Sequence, residues 1–173
     1  MPPVQHRSRA AKVTLAALVG LGIFGGVLAG CGGSEPARVS QATLIHRADT
    51  VCADGLAEAD RLRAKAKPGA SGKAAAAEID ASIAVLQRQL DAFAGLRGPA
   101  STDAARERAI HELEIARDGL EALRNAAVDR GLTVNEAILA NSAVVKRVNQ
   151  ASAKANDALG TLRFYTCIGV AAG

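Results

Sequence analysis

Residues 132–162 read LTVNEAILANSAVVKRVNQASAKANDALGTL, and this run decides the fold class. Thr133 and Glu136 form a capping-box pair. The threonine hydroxyl can accept from the backbone N–H three residues on, while the glutamate reaches back to the threonine N–H. Leu132 precedes the pair as a hydrophobic staple. Beyond the cap, Ile138, Val144, Val145, Val148, Ala151, Ala155, Leu159 and Leu162 recur at helical spacing, so they share one stripe rather than alternating between two faces. Ser142, Asn149 and Asn156 recur every seven residues, either as an ordinary outward polar face or as a seam toward a partner helix or ligand. No part of the chain alternates convincingly with period two, so a sheet is not expected.

Upstream, Pro68-Gly69, Gly98-Pro99 and Gly131 delimit three further stretches of similar length. The first opens at Ser40, a good N-cap. It carries Leu44, Ile45, Ala48, Val51, Cys52, Leu56, Ala59 and Leu62 on one stripe, with Arg47, Asp54, Glu58, Arg61 and Lys65 opposite. The second opens at Ser71 and shows Ile79, Ile83, Leu86, Leu90 and Phe93. The third begins at Ser101 or Thr102, with Asp103 in its first turn, where a carboxylate suits the helix dipole. Its stripe of Ile110, Leu113, Leu120, Leu123 and Ala127 is interrupted by Arg117, and Gly131 follows as a C′ residue. Four amphipathic helices of roughly 26–30 residues would each span about 40 Å. Matched lengths and short loops predict an all-α, antiparallel up-down-up-down four-helix bundle. Three helices with one broken element is the competing arrangement.

Hydrophobic residues make up 49% of the 173, but alanine dominates them, with no Trp, one Tyr and three Phe. Such a core has few large anchors, and its helices can approach toward the short end of the roughly 8–10 Å interaxial range. The formal net charge is +4, of which Arg7, Arg9 and Lys12 supply three positives near the N-terminus. Residues 31–173 hold 18 Lys and Arg against 17 Asp and Glu. A nearly neutral domain without aromatic platforms carries no nucleic-acid footprint.

Residues 1–12 are polar and basic, and an apolar stretch from Val13 to Ala29 ends in Gly30-Cys31. A positive start, an apolar middle and small residues at a cut site make the layout of a secretory signal. Gly20, Gly22, Gly25 and Gly26 weaken the same stretch as a spanning helix; an uncleaved membrane anchor is the alternative. Leu28-Ala29-Gly30-Cys31 resembles the lipobox of bacterial lipoproteins at all four positions. That resemblance implies that Cys31 receives diacylglycerol, that a peptidase cuts before it, and that residues 1–30 are a signal peptide. It also implies a lipid anchor on the extracytoplasmic side of a cell membrane or outer membrane, stable with two or three acyl chains. Residues 31–40 then read as a flexible tether, and residues 41–173 as the helical domain.

With Cys31 lipidated, Cys52 and Cys167 remain. An even pair in an exported domain bonds to itself; two buried free thiols are the alternative. If the last helix ran straight through Cys167, its α-carbon could not come within the roughly 4.4–6.8 Å of Cys52 that a disulfide needs. Loosening at Gly160 would let residues 162–167 fold back onto the first helix. Ala48-Asp49-Thr50-Val51-Cys52 and Tyr165-Thr166-Cys167-Ile168-Gly169 also resemble, more loosely, a pattern in a group of small helical lipoproteins from actinobacteria. This second resemblance supports the disulfide and the bundle and implies no activity.

Catalytic chemistry finds little to stand on. His46 and His111 are the histidines of residues 31–173. His111-Glu112 lacks the second histidine of HExxH, since position 115 is Ile. Neither histidine has Glu three residues before it, as di-iron bundles require. Glu112, Glu114, Asp118 and Glu121 read as a solvated face with local ion pairs. Arg61, Arg63, Lys65 and Lys67 read as a last turn that compensates the helix dipole, or as a patch for anionic lipid or a polyanionic cell-wall polymer.

The expected function is therefore non-enzymatic, without metal or cofactor: a lipid-anchored helical domain with a structural or partner-binding role in the cell envelope. Its partners would be the membrane, and an envelope protein or cell-wall polymer. The alternative is a ligand-binding lipoprotein holding a small apolar or anionic molecule between helices. A ligand binder requires a cavity with convergent polar groups, whereas a partner binder requires a contiguous apolar patch above a few hundred Å2.

Overall fold

The computed structural model describes residues 37–168. The expected signal peptide, Cys31, the start of the tether and residues 169–173 lie outside the described residues. The described fold is all-helical: α1 (Gln41–Lys65), α2 (Lys73–Gly95), α3 (Asp103–Arg130), α4 (Val134–Ala140) and α5 (Ser142–Thr161), with 3-10 turns at Ala100–Thr102 and Tyr165–Cys167.

The helix ends follow local chemistry. Ser40 Oγ accepts from the Thr43 N–H at 3.2 Å, as an N-cap should. Thr133 and Glu136 form the full capping box, with Glu136 Oε2 accepting from the Thr133 N–H at 2.8 Å. Gly131 ends α3 at φ 65°, a left-handed conformation cheap only for glycine. Two expected caps differ. Ser71 bridges to Thr133, so Gly72 takes the N-cap position of α2 and donates to the Leu132 carbonyl at 2.9 Å. Thr102 spends its hydroxyl on the Pro99 carbonyl at 2.7 Å and leaves α3 without a side-chain cap. Arg38 and Val39, read as the end of the tether, are already held. Val39 N–H donates to Arg97 O at 2.7 Å, and Arg38 bonds both oxygens of Asp103 at 2.8 and 3.2 Å.

The fourth stretch is not one helix. Asn141 breaks it at φ −123°, ψ 44°. Its side-chain amide donates to the Ala137 carbonyl at 2.7 Å, and its own N–H to Ile138 O at 3.2 Å. Asparagine competes with the helical backbone in this way, so α4 is capped after two turns and α5 starts afresh.

The expected disulfide is present between Cys52 and Cys167, with α-carbons 5.0 Å apart and a sequence separation of 115. The chain does fold back to reach it, but Gly160 is not where it turns. α5 runs through Gly160, and Arg163 takes φ 64°. Arg163 N–H then donates to Gly160 O, and Phe164 N–H to Leu159 O, each at 3.0 Å. Phe164 enters the core as one of its largest fully buried side chains and stacks near Phe93, ring centroids 6.3 Å apart.

The core has two parts. One surrounds the disulfide and includes Leu44, Ala48, Leu90, Phe93, Leu113, Leu159 and Phe164. The other gathers Ala75, Ile79, Leu123, Ala127 and Ala137 near α4. Between α3 and α5, Gly119 lies against the Val148 side chain with no room for a β-carbon, so small residues do set close helix approach here.

Candidate ligand-binding channel

A cavity of about 710 Å3 lies among the helices, within the roughly 300–1,000 Å3 range of small-molecule sites. Its walls draw on both core clusters: Cys52, Phe93, Leu113, Leu159 and Cys167 from the first, Ile79 and Leu123 from the second. On α1 the lining runs from Cys52 to Ala66, about 21 Å at 1.5 Å per residue. The volume is thus drawn out into a channel. Its ionisable residues, Asp60, Arg63, Lys65 and Glu78, belong to the end away from the disulfide; exposed Ile138 and, one turn from Cys52, exposed Leu56 also border it.

Two polar residues line it without a hydrogen-bond partner for one atom each: Gln89 Nε2 and Ser152 Oγ. They are only 5% and 4% exposed. Cross-helix contacts fix their heights. Arg124–Asp80 at 3.1 Å and Arg117–Gln87 at 3.0 Å set α2 against α3. Lys154–Glu112 at 3.4 Å and Gly119–Val148 set α5 against α3. Stepping along each helix from these anchors at 1.5 Å per residue, Gln89 and Ser152 both fall at the level of Ile115. Gln89 reaches its place because Gly55 of α1 has no side chain there. It also borders a shallower depression of about 430 Å3 on the outer α1–α2 seam, walled by Asp54, Glu58, Arg61 and Arg88.

Burying an amide or hydroxyl without a partner costs about 1–3 kcal/mol. The cavity is not sealed: exposed Leu56 and Ile138 border it, so it is continuous with solvent. The space is one that solvent or a ligand fills. Water needs two to four polar partners, and along most of this wall it finds Leu, Ile, Val, Ala and Phe. A molecule with an apolar body fits that chemistry better.

The other candidates from the sequence fall elsewhere. His46 and His111 are exposed, and no group of three metal-ligating side chains occurs among the described residues. Glu114, Asp118 and Glu121 are exposed, and Arg117 pairs with Asp118 at 2.8 Å. Hydrogen bonding to Asp118 holds the Arg117 guanidinium still more firmly protonated. Glu112 departs from the expected solvated face. It is 8% exposed, facing α5, with one oxygen toward Lys154 and the other unpartnered. Of the seven-residue repeat, Asn149 lines the channel and Ser142 is exposed. Arg61 pairs with Glu58 and Arg63 with Asp60, while Lys65 lies at the channel's charged end.

Gln89, Ser152 and Arg106 were not singled out in the sequence. The signal was present: Leu86, Gln89 and Phe93, and likewise Val148, Ser152, Ala155 and Leu159, stand at steps of three and four. A polar residue on such a stripe faces inward. Arg106, 5% exposed, donates to the Ala94 carbonyl at 3.2 Å and satisfies the end of α2.

No family model, curated protein or solved structure matches this chain. Among the described residues, no helix is long and apolar enough to cross a membrane.

Proposed function

We propose that this domain is a lipid-tethered, non-enzymatic binder that holds a small, largely apolar molecule between the helices of an up-down bundle. In that topology α4 and α5 together make the fourth rod. One observation carries the reading: a long, largely apolar channel of ligand-sized volume among the helices. An apolar ligand body gains by displacing poorly held water.

The partner-binding reading has less to rest on. Among the described residues the large exposed hydrophobics are Leu56, Ile138, Leu139, Tyr165 and Ile168, and the first two already border the channel. Placement outside the cytoplasm, on a lipid at Cys31, is supported by the lipobox-like Leu28–Cys31 and by a disulfide, which belongs to oxidising compartments.

The test is to purify the full chain from its own membranes and identify what organic solvent extracts from it. Ala116→Phe, and separately Ser82→Leu, would fill the channel from two helices. Both should abolish the extracted molecule while the helical circular dichroism persists. A wild-type protein that yields nothing and melts identically with and without apolar additives would sink the reading. For the anchor, labelled palmitate should enter the wild type and not Cys31→Ser.

A further inference from the structure

Polarity is distributed unevenly along the channel. On α1 its lining passes from Cys52 and Leu56 through Ala59 and Leu62 to Lys65 and Ala66, about 21 Å in all. The disulfide end adds Phe93, Leu113 and Leu159, while Asp60, Arg63, Lys65 and Glu78 all belong toward the other. The charges there do not cancel. Glu58 and Asp60 already hold Arg61 and Arg63, at 3.2 and 2.6 Å. Glu78 accepts from the backbone N–H of Lys67 at 2.9 Å, which sets Lys67 beside the same opening. Among the described residues no carboxylate pairs with the ammonium of Lys65 or Lys67, and both side chains are exposed. Two cations against the one carboxylate of Glu78 leave this opening net positive.

An ion cannot follow the wall inward, because the apolar part offers it neither hydration nor a counter-charge. A charged headgroup is instead held at the lysines, in water, while an unbranched chain lies along the apolar wall. The length of the channel suits such a chain more than a compact ring system. Resting on the reading of the channel as a ligand site, we infer that its occupant is an anionic single-chain amphiphile, a long-chain carboxylate or alkyl phosphate. Its headgroup sits at Lys65 and Lys67, and its tail runs past Ile79, Leu123 and Leu120 toward Phe93 and Leu159.

The test titrates the full chain, labelled with nitrogen-15, at neutral pH and low salt, with each probe below its micelle concentration. The probes are sodium octanoate, decanoate and dodecanoate, then dodecyl phosphate, dodecanol and dodecyltrimethylammonium. Affinity should rise along the carboxylate series by up to roughly fourfold for each methylene buried. Dodecanoate or dodecyl phosphate should bind tighter than dodecanol, by up to roughly fivefold for each lysine engaged. Which of the two anions binds tighter separates the carboxylate from the phosphate source, and the quaternary amine should bind weakest. A fatty acid carrying a nitroxide near its methyl end should broaden the amide signals of Phe93 and Leu159, and one labelled beside the carboxylate those of Lys65 and Lys67. The Lys65→Gln, Lys67→Gln double variant alters only exposed side chains. It should melt like wild type and keep its affinity for dodecanol, while its preference for the anions disappears. Equal binding of dodecanol and both anions by wild type, or broadening at the reversed ends, overturns the anionic-headgroup inference and leaves the channel standing. So does an unchanged preference in the double variant. Failure of every chain to bind removes the channel reading itself.

Discussion

Gly55 of α1 lies directly against the Gln89 amide of α2, with no space between them for a β-carbon. The glycine is there because the helices close over a polar side chain at that height. Gly55→Leu should cost about 1–3 kcal/mol, as overpacking does. Adding Gln89→Ala should return a substantial part of the loss, since the two positions share one space. Gly55→Ala should nearly break even, because the far end of a flexible glutamine can shift and alanine gains about 1 kcal/mol of helix propensity over glycine. Urea denaturation of the three variants measures all of this.

The buried Glu112 and its exposed partner Lys154 should respond unequally. Lys154→Ala leaves a carboxylate only 8% exposed without its cation, and stability should fall. Glu112→Leu takes away both the buried charge and its unpartnered oxygen, and should be neutral or stabilising by about 1–4 kcal/mol. Comparable losses from both substitutions would show that the pair itself stabilises the fold.

Opening the disulfide should be expensive. A closed loop with a separation of 115 residues corresponds to about 4–5 kcal/mol in the chain-entropy model. Cys52→Ala with Cys167→Ala, or reduction of the wild type, should lower the melting temperature sharply, as calorimetry with and without reductant would report.

Acid should weaken two specific junctions. The hydrogen bond from Arg38 holds the Asp103 carboxyl below its ordinary range, and the Thr133 backbone N–H and hydroxyl do the same for Glu136. Both groups are more acidic folded than unfolded, so the unfolded chain binds more protons as pH falls. Their contribution is complete above the ordinary carboxylate range, and it is lost as pH drops through and below it. Melting temperature should decline across that window, and less steeply for Arg38→Ala and Glu136→Gln.

How much of this was legible depended on whether the determinant was local. Thr133 and Glu136, Ser40 and Gly131 act within four residues of themselves, so the helix ends they set could be read directly. The Cys52–Cys167 pairing followed from counting. Asn141 looked like one polar residue within a helical stripe, because its break depends on a side-chain bond to Ala137 winning over propensity. Gly160 was the obvious hinge, yet Arg163 takes the left-handed turn, since burial of Phe164 and bonding of Cys167 hold it there. Likewise Glu112 reads as a surface residue until α5 packs over it. The channel was out of reach for the same reason: it is made by five helices that no stretch of sequence contains together.

A core in two parts also divides the molecule in time. The cluster at Cys52–Cys167 is closed by a covalent bond, whereas the one at Ala137 leans on a helix of seven residues, too short to persist alone in water. Amide protons of α4 should exchange with solvent sooner than those facing the disulfide. One mouth of the channel would then open often, and the other almost never.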